Sequence, residues 1–205
     1  MLAEEYGYQV SPRPAAETPG VRAQVGQDRK NTLSGMWQLT AFFLVLSAVL
    51  SAVMQDLWPL LMPAVWTLLI VPPSYIWLVR KEPAQMMRVL ETSRWQVWPC
   101  RIEKIKGTAI ARRLLLLAPD KSVAAMFEGA VPHDVWLSMT DGRGVLWIAG
   151  DLRFPAVAAV PGGEPLWRIT PVEPTQQPQA LANTDAAFDA LVAEARSAVV
   201  WNLLG

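Results

Sequence analysis

The pattern of apolar residues divides the chain into one long uncharged stretch and a later region of short runs. Across 31–79 the only formal charge is Asp56, which separates an apolar run at 36–55 from a second run at 57–79. A membrane-spanning helix needs about 20 predominantly apolar residues, and neither run has the polar face that a soluble core helix would show. The pattern therefore predicts a transmembrane α-helical hairpin over 34–81, with two spans joined by a tight turn.

Small residues recur at a spacing of four along the first predicted span. Such residues allow two helix backbones to approach closely in a membrane. They could pack against the second predicted span or form a seam between two copies of the chain. The residues predicted to make this helix–helix contact are Ser47, Ala48, Ser51 and Ala52.

Basic residues flank the predicted hairpin on both sides and concentrate after it. Residues 80–113 hold nine basic residues against three acidic ones, a net charge of +6, whereas 171–205 has a net charge of −3. Positive flanks place both termini in the cytoplasm, for a multi-pass protein of the inner (cytoplasmic) membrane. Each basic residue near an anionic leaflet contributes about 1 kcal/mol. The predicted contacts with lipid head groups are Arg80, Lys81, Arg88 and Arg94.

The basic stretch also raises the possibility of a nucleic-acid site. The acidic remainder of the chain and the predicted membrane tether argue against it. The expected partners are therefore anionic lipid of the inner leaflet and a protein partner or second copy, with no nucleic acid.

After a predicted juxtamembrane helix at 82–94, short apolar runs separated by turns extend over 95–170. A run at 135–140 is predicted as a strand, and Asp141-Gly142 favours the positive φ angles of a hairpin turn. A helix is considered only around 122–127. About six short strands at this spacing predict a small all-β domain, an antiparallel barrel of the OB or SH3-like kind. The predicted core residues are Trp98, Leu115, Trp136, Leu146, Ile148, Val157 and Ile169.

The two ends of the chain have different compositions. Residues 1–33 are rich in proline and polar residues, which predicts a disordered tail. A Pro/Gln-rich linker at 171–183 precedes a predicted amphipathic helix at 184–203. That helix could dock on the barrel, on a partner or on a second copy. The residues on its apolar face, predicted to bind the partner, are Phe188, Leu191, Val192 and Ala195.

Candidate chemistry is sparse. The chain has one histidine, His133, beside Asp134, and one cysteine, Cys100. A histidine–aspartate pair could serve a nucleophile, but no glycine-flanked nucleophilic serine is present. One histidine and one cysteine cannot complete a zinc site. We expect no cofactor, no metal site and no catalytic residue.

A resemblance to known proteins rests on one run of residues. Uncharacterised two-span bacterial membrane proteins contain a stretch that resembles Met139-Thr140-Asp141-Gly142-Arg143-Gly144-Val145-Leu146-Trp147, followed by Gly150-Asp151-Leu152-Arg153-Phe154. The layout of 36–170 also resembles that of the NfeD-like proteins, in which membrane spans precede a soluble OB barrel. The resemblance implies a barrel after the spans and carries no activity.

These observations predict a non-enzymatic integral membrane protein. Its cytoplasmic β-barrel would act as a protein-interaction, scaffolding or regulatory module. The alternative is a membrane-tethered module that binds lipid or a small ligand. A third hypothesis is an enzyme that uses His133 and Asp134.

Overall fold

The computed structural model describes residues 2–53, 82–105, 107–108, 111–139, 141–172 and 186–197. Two compact units divide the chain. One combines Met1–Gln24 with Met86–Gly205, and the other is Val25–Gln85. The first unit contains the β-sheet, and the second contains most of one long helix.

The described elements are seven strands, five helices and one short 3-10 helix at Ala15–Glu17. The helices are α1 (Leu2–Glu5), α2 (Val21–Val53), α3 (82–92), α4 (His133–Ser138) and α5 (Ala186–Arg196). The strands are β1 (Val10–Pro14), β2 (Arg94–Lys104), β3 (Ala111–Leu117), β4 (Val123–Ala130), β5 (Arg143–Ala149), β6 (Ala156–Ala159) and β7 (Leu166–Pro171).

Six of the strands close into an antiparallel barrel. Strands β2, β3 and β4 form one meander, and β5, β6 and β7 form another. The two meanders join where β2 pairs with β5 and where β4 pairs with β7. The predicted small β-barrel is therefore confirmed. Its six strands exceed the five of an OB barrel, because β5, β6 and β7 form a complete second meander.

Two local predictions about the barrel are wrong. The segment predicted as a strand at 135–140 overlaps α4 (His133–Ser138), and the segment considered as a helix at 122–127 overlaps β4 (Val123–Ala130). Pro132 stands at the N-cap of α4, with a φ of −54° that leads into the helix. Three consecutive apolar residues follow in α4, and a run this short does not distinguish a strand from a helix.

The turn at Asp141-Gly142 has the predicted backbone conformation but connects different elements. Both residues have positive φ, 53° and 70°. The turn joins α4 to β5, rather than two strands of a hairpin.

The barrel core follows the predicted residues with one exception. Six of the seven predicted core residues are at most 3% exposed. Trp136 is only half-buried, because it lies on α4 rather than on a barrel strand. The six buried residues are Trp98, Leu115, Leu146, Ile148, Val157 and Ile169.

The N-terminal segment, predicted as a disordered tail, packs on the barrel. Strand β1 pairs with β2. The Tyr8 hydroxyl donates to the Leu117 carbonyl at 2.9 Å, and the indole N–H of Trp95 donates to the Thr18 hydroxyl at 2.9 Å. The segment has too few apolar residues for a core of its own. It is ordered because it packs on a core formed by the rest of the chain.

Among the residues that the structure describes, no helix is both long enough and apolar enough to cross a membrane. This finding contradicts the predicted transmembrane hairpin, the integral-membrane classification and the multi-pass inner-membrane location. The second predicted span, 57–79, lies outside the described residues. The first, 36–55, overlaps the end of α2, but that helix begins at Val21 and includes Asp28 and Lys30. The helix boundaries therefore do not coincide with those of the apolar run.

Helix α5 docks on the barrel of its own chain. Phe188, Val192 and Ala195 are at most 9% exposed, and the helix contacts β2 and β5. The Gln9 backbone N–H donates to the Ala195 carbonyl at 3.1 Å, and the Gln9 side-chain amide donates to the Arg196 carbonyl at 3.0 Å. Docking on the barrel, one of the alternatives drawn from the amphipathic pattern, is therefore what the helix does.

Candidate functional site

Helix α4 lies at the end of the barrel where β2 finishes and β3 and β5 begin. The Ile102 backbone N–H donates to the Gly142 carbonyl at 2.7 Å, which fixes the turn after α4 against β2. Within α4, Val135 is buried and Trp136 is half-buried, whereas Leu137 is 66% exposed. Val135 therefore attaches α4 to the barrel core, whereas Trp136 and Leu137 lie at the surface.

Gly142 packs closely beneath the Trp136 ring. A Cβ atom at this glycine would lie 3.2 Å from Trp136 Cζ3 and 2.7 Å from the Ile102 carbonyl oxygen. The glycine also has a φ of +70°, which side chains other than glycine rarely adopt. The turn therefore requires glycine, and its bare backbone supports the indole ring.

Two cationic side chains approach the same ring. Lys104 Nζ lies 5.9 Å from the Trp136 ring centroid, and Arg112 Cζ lies 5.7 Å from it. These distances are within the range of cation–π attraction. Residues Lys104, Arg112, Trp136 and Leu137 together are called the Trp136 surface.

The strand register places like charges opposite each other at this end of the barrel. Lys104 pairs with Arg112 across β2 and β3, and Arg101 pairs with Arg143 across β2 and β5. Directly opposed side chains have Cβ atoms about 4.5–5.5 Å apart, and like charges at that spacing destabilise a sheet.

Two carboxylates offset part of this positive charge. Glu103 Oε1 lies 3.2 Å from Arg101 Nε, and Glu128 Oε1 lies 3.1 Å from Arg113 Nη2. All four side chains are about a third or more exposed, and exposed pairs of this kind contribute about 0–1 kcal/mol.

A second exposed aromatic residue lies in the loop between β5 and β6. Phe154 is 61% exposed, and the Arg153 guanidinium lies 5.9 Å from its ring centroid. Arg153 Nη2 also donates to Asp151 at 2.6 Å. Hydrogen bonds from Arg153 hold the pKa of the Asp151 carboxyl at about 2. Arg153 is therefore held within its own loop by the Asp151 carboxylate.

The predicted lipid-contact residues divide between described and undescribed parts of the chain. Arg88 on α3 and Arg94 at the start of β2 are exposed. Arg80 and Lys81 lie outside the described residues.

The predicted helix–helix residues belong to α2, but their side chains fall outside the described set. These residues are Ser47, Ala48, Ser51 and Ala52.

The predicted partner-binding residues lie on α5. Phe188, Val192 and Ala195 are buried in the unit that contains the barrel, and Leu191 is partly exposed. Their apolar face is therefore already used within the chain.

The candidate catalytic residues do not form a nucleophilic site. His133 and Asp134 are both exposed in the first turn of α4. Cys100 is fully buried, and burial raises the pKa of its thiol well above the usual range. The thiol therefore stays protonated near neutral pH and is a poor nucleophile. Within the described ranges, no three histidine, cysteine, aspartate or glutamate residues are placed to hold a metal ion.

The sequence predicts other roles for the residues of the Trp136 surface. It predicts Trp136 in the core, and it places Lys104 and Arg112 in a basic stretch expected to face lipid head groups. The useful signal was the strand spacing, because a β2–β3 hairpin of the observed length places Lys104 opposite Arg112.

The fold and the Trp136 surface define a small six-stranded barrel with a basic, aromatic patch at one end. Comparison with family models, curated proteins and solved structures finds no match to this chain. The resemblance to the NfeD-like layout stays a prediction.

Proposed function

We propose that this protein is an interaction module that binds a protein partner through the Trp136 surface. The small β-barrel supplies a rigid support, and α4 presents the contact residues. The proposal rests on the accessibility of two apolar side chains, Trp136 and Leu137. They lie on one helical turn at the end of a barrel whose core side chains are buried.

The composition of the surface fits a binding hot spot. Tryptophan and arginine are enriched among the residues that dominate binding energies at protein interfaces. The Trp136 ring is already held by Gly142 and by two neighbouring cations. A partner would therefore meet a pre-ordered aromatic side chain, and little conformational entropy would be lost on binding.

Catalysis is a weaker explanation of the same end of the barrel. His133 and Asp134 are adjacent in sequence and exposed, and the thiol of Cys100 is buried. A histidine general base needs a nucleophile within hydrogen-bonding reach. The function proposed here is accordingly non-enzymatic.

Site-specific photo-crosslinking tests the proposal. A photoreactive amino acid replaces Leu137 in the full chain, and a matched variant carries it at Phe154, which is similarly exposed. We expect one stoichiometric protein crosslink from position 137 and none from position 154. Trp136→Ala in the Leu137-substituted chain should reduce the yield about tenfold, the effect of losing a modest hot spot. Equal crosslinking from both positions, or an unchanged yield with Trp136→Ala, would contradict the proposal.

A further inference from the structure

We infer that the partner of the Trp136 surface is a second copy of this chain, bound face to face through α4. The inference rests on the proposed function and names the partner that the same site would take. Two features support it. An exposed leucine lies at the centre of the surface, and charges of opposite sign lie on the two sides of that leucine.

Leu137 is the apolar centre of the surface. Its side chain is 66% exposed. Val135, which points about 160° away around the helix, is buried. The helix thus has one side towards the barrel and the opposite side towards solvent. An exposed apolar side chain gains free energy by burial against another one, and the same leucine of a second copy supplies it.

Opposite charges lie on the two sides of Leu137. An α-helix turns about 100° per residue, so Trp136 lies about 100° to one side of Leu137 and Asp134 about 60° to the other. Lys104 Nζ is 5.9 Å from the Trp136 ring centroid, which puts a cation on the Trp136 side. Asp134 is exposed, and no ion pair joins its carboxylate to the residues that the structure describes. Across α4 the surface therefore runs from a cation through an apolar centre to an anion.

Lys104 is the cation that we expect to meet the second copy. It is exposed, whereas Arg112 is only partly exposed and donates from Nη1 to the Ala111 carbonyl at 3.1 Å. Arg112 therefore has interactions within the chain, and the pairing between copies does not require it.

A twofold axis parallel to α4 brings the matching features together. In a twofold dimer both copies use the same patch, so each contact between two different residues occurs twice. Rotation about an axis along α4 places Leu137 against Leu137 and exchanges the two sides of the helix. Lys104 of one copy then faces Asp134 of the other, at two symmetry-related positions. A twofold axis across the helix would instead oppose like charges, which is unfavourable.

The charge of the whole chain also favours a second copy. Its 18 basic and 18 acidic residues give a formal net charge of zero at pH 7, so two copies approach each other without overall repulsion. A partner of one charge sign would attract one side of Leu137 and repel the other. A surface that carries both signs around an apolar centre is complementary to itself.

Charge reversal at either position tests the inference in the full chain. Lys104→Glu places two pairs of carboxylates in the dimer, and Asp134→Lys places two pairs of ammonium groups there. We expect each variant alone to raise the dimer dissociation constant at least about tenfold, because symmetry doubles the repulsion. Sedimentation velocity over a concentration series measures this constant, and circular dichroism checks that each variant folds.

A mixture of the two variants gives the most specific result. When Lys104→Glu meets Asp134→Lys, both contacts across the interface join opposite charges. The mixture should therefore form a heterodimer at about the affinity of the unaltered chain, although each component alone is weakened. A variant that fails for structural reasons would not be rescued in this way. Absence of rescue would overturn the inference.

Matched reversals elsewhere separate local from general electrostatics. Arg88→Glu on α3 and Asp189→Lys on α5 make the same changes of charge at exposed positions. Both variants should dimerise as the unaltered chain does. Equal weakening by these controls would overturn the inference, because dimerisation would then follow net charge alone.

The photo-crosslink from position 137 distinguishes this inference from the proposed function. A crosslinked product of twice the mass of the chain supports both. A crosslink to a different protein, with a chain that is monomeric at every concentration, supports the interaction module and overturns the second copy. A dimer that keeps its affinity in both single variants also overturns the second copy at this site, because the chain then associates through another surface.

Discussion

The two halves of strand β2 have opposite surroundings. From Trp95 to Cys100 every side chain is buried, because the barrel interior covers one face and other elements of the same unit cover the opposite face. From Arg101 to Lys104 three of the four side chains are charged and at least partly exposed. One strand therefore supplies stability along its first half and a charged surface along its second. The comparison teaches that a buried stretch and a charged surface can be separated along one strand.

The largest effect is expected in the buried half, at Trp95. This side chain is fully buried, and its ring lies 5.9 Å from that of Trp147. Trp95→Ala should lower the free energy of unfolding by about 3–5 kcal/mol, as large-to-small core changes do. Trp136, which contacts Lys104 in the charged half of β2, is only half-buried. Trp136→Ala should therefore lower the free energy of unfolding by only about 1–2 kcal/mol, because less apolar area is buried there. Urea unfolding followed by circular dichroism measures both, and equal losses would break the comparison.

The next effect tests the support beneath the Trp136 ring. Gly142→Ala places a side chain on a left-handed residue, which costs about 1–2 kcal/mol. The new Cβ would also lie 2.7 Å from the Ile102 carbonyl oxygen. Gly107→Ala is the control, since Gly107 has a φ of +89° but no atom of the described residues would lie within 4 Å of its new Cβ. We expect Gly142→Ala to lower the unfolding midpoint further than Gly107→Ala does. The reverse order would show that the Gly142 turn can accommodate a Cβ atom.

The sequence predicts a segment correctly where the segment has a local pattern of apolar and turn residues. Strand β5, which contains Leu146 and Ile148, is an apolar run that ends at Gly150, and the strand predicted there is confirmed. The N-terminal segment has no such pattern. Its order depends on partners distant in sequence, such as Thr18 with Trp95, which local composition does not reveal.

The candidate site was harder to predict for the same reason. The sequence showed the basic stretch but could not show that Lys104 and Arg112 share one tryptophan. That contact needs the hairpin register and the position of α4 together. The predicted membrane hairpin is wrong for a different reason. The apolar run at 36–55 does not set the limits of a helix, since α2 begins at Val21 and includes Asp28 and Lys30.

A smaller effect is expected where the N-terminal segment contacts the buried half of β2. Thr18→Val keeps the shape of the side chain but removes the acceptor for the Trp95 indole N–H, which lies 2.9 Å away. Leaving a buried donor unsatisfied should cost about 1–3 kcal/mol. Thr92→Val is the control, because the Thr92 hydroxyl donates to the Arg88 carbonyl at an exposed position of α3. The free energy of unfolding of Thr92→Val should change by less than about 0.5 kcal/mol. An equal loss in both variants would show that the buried Trp95–Thr18 hydrogen bond adds no more stability than an exposed one.

The smallest effect has the opposite sign and concerns the charged half. Lys104→Gln removes one member of the opposed pair Lys104–Arg112. Relief of the repulsion should raise the free energy of unfolding by about 0.2–1 kcal/mol, although the change also removes a cation near Trp136. Because exposed charges are screened by salt, the gain should shrink as ionic strength rises. Arg88→Gln serves as the control and should show no such gain. Thermal unfolding at low and high salt measures the difference. If Lys104→Gln is destabilising at low salt, the attraction between Lys104 and the Trp136 ring outweighs the repulsion from Arg112.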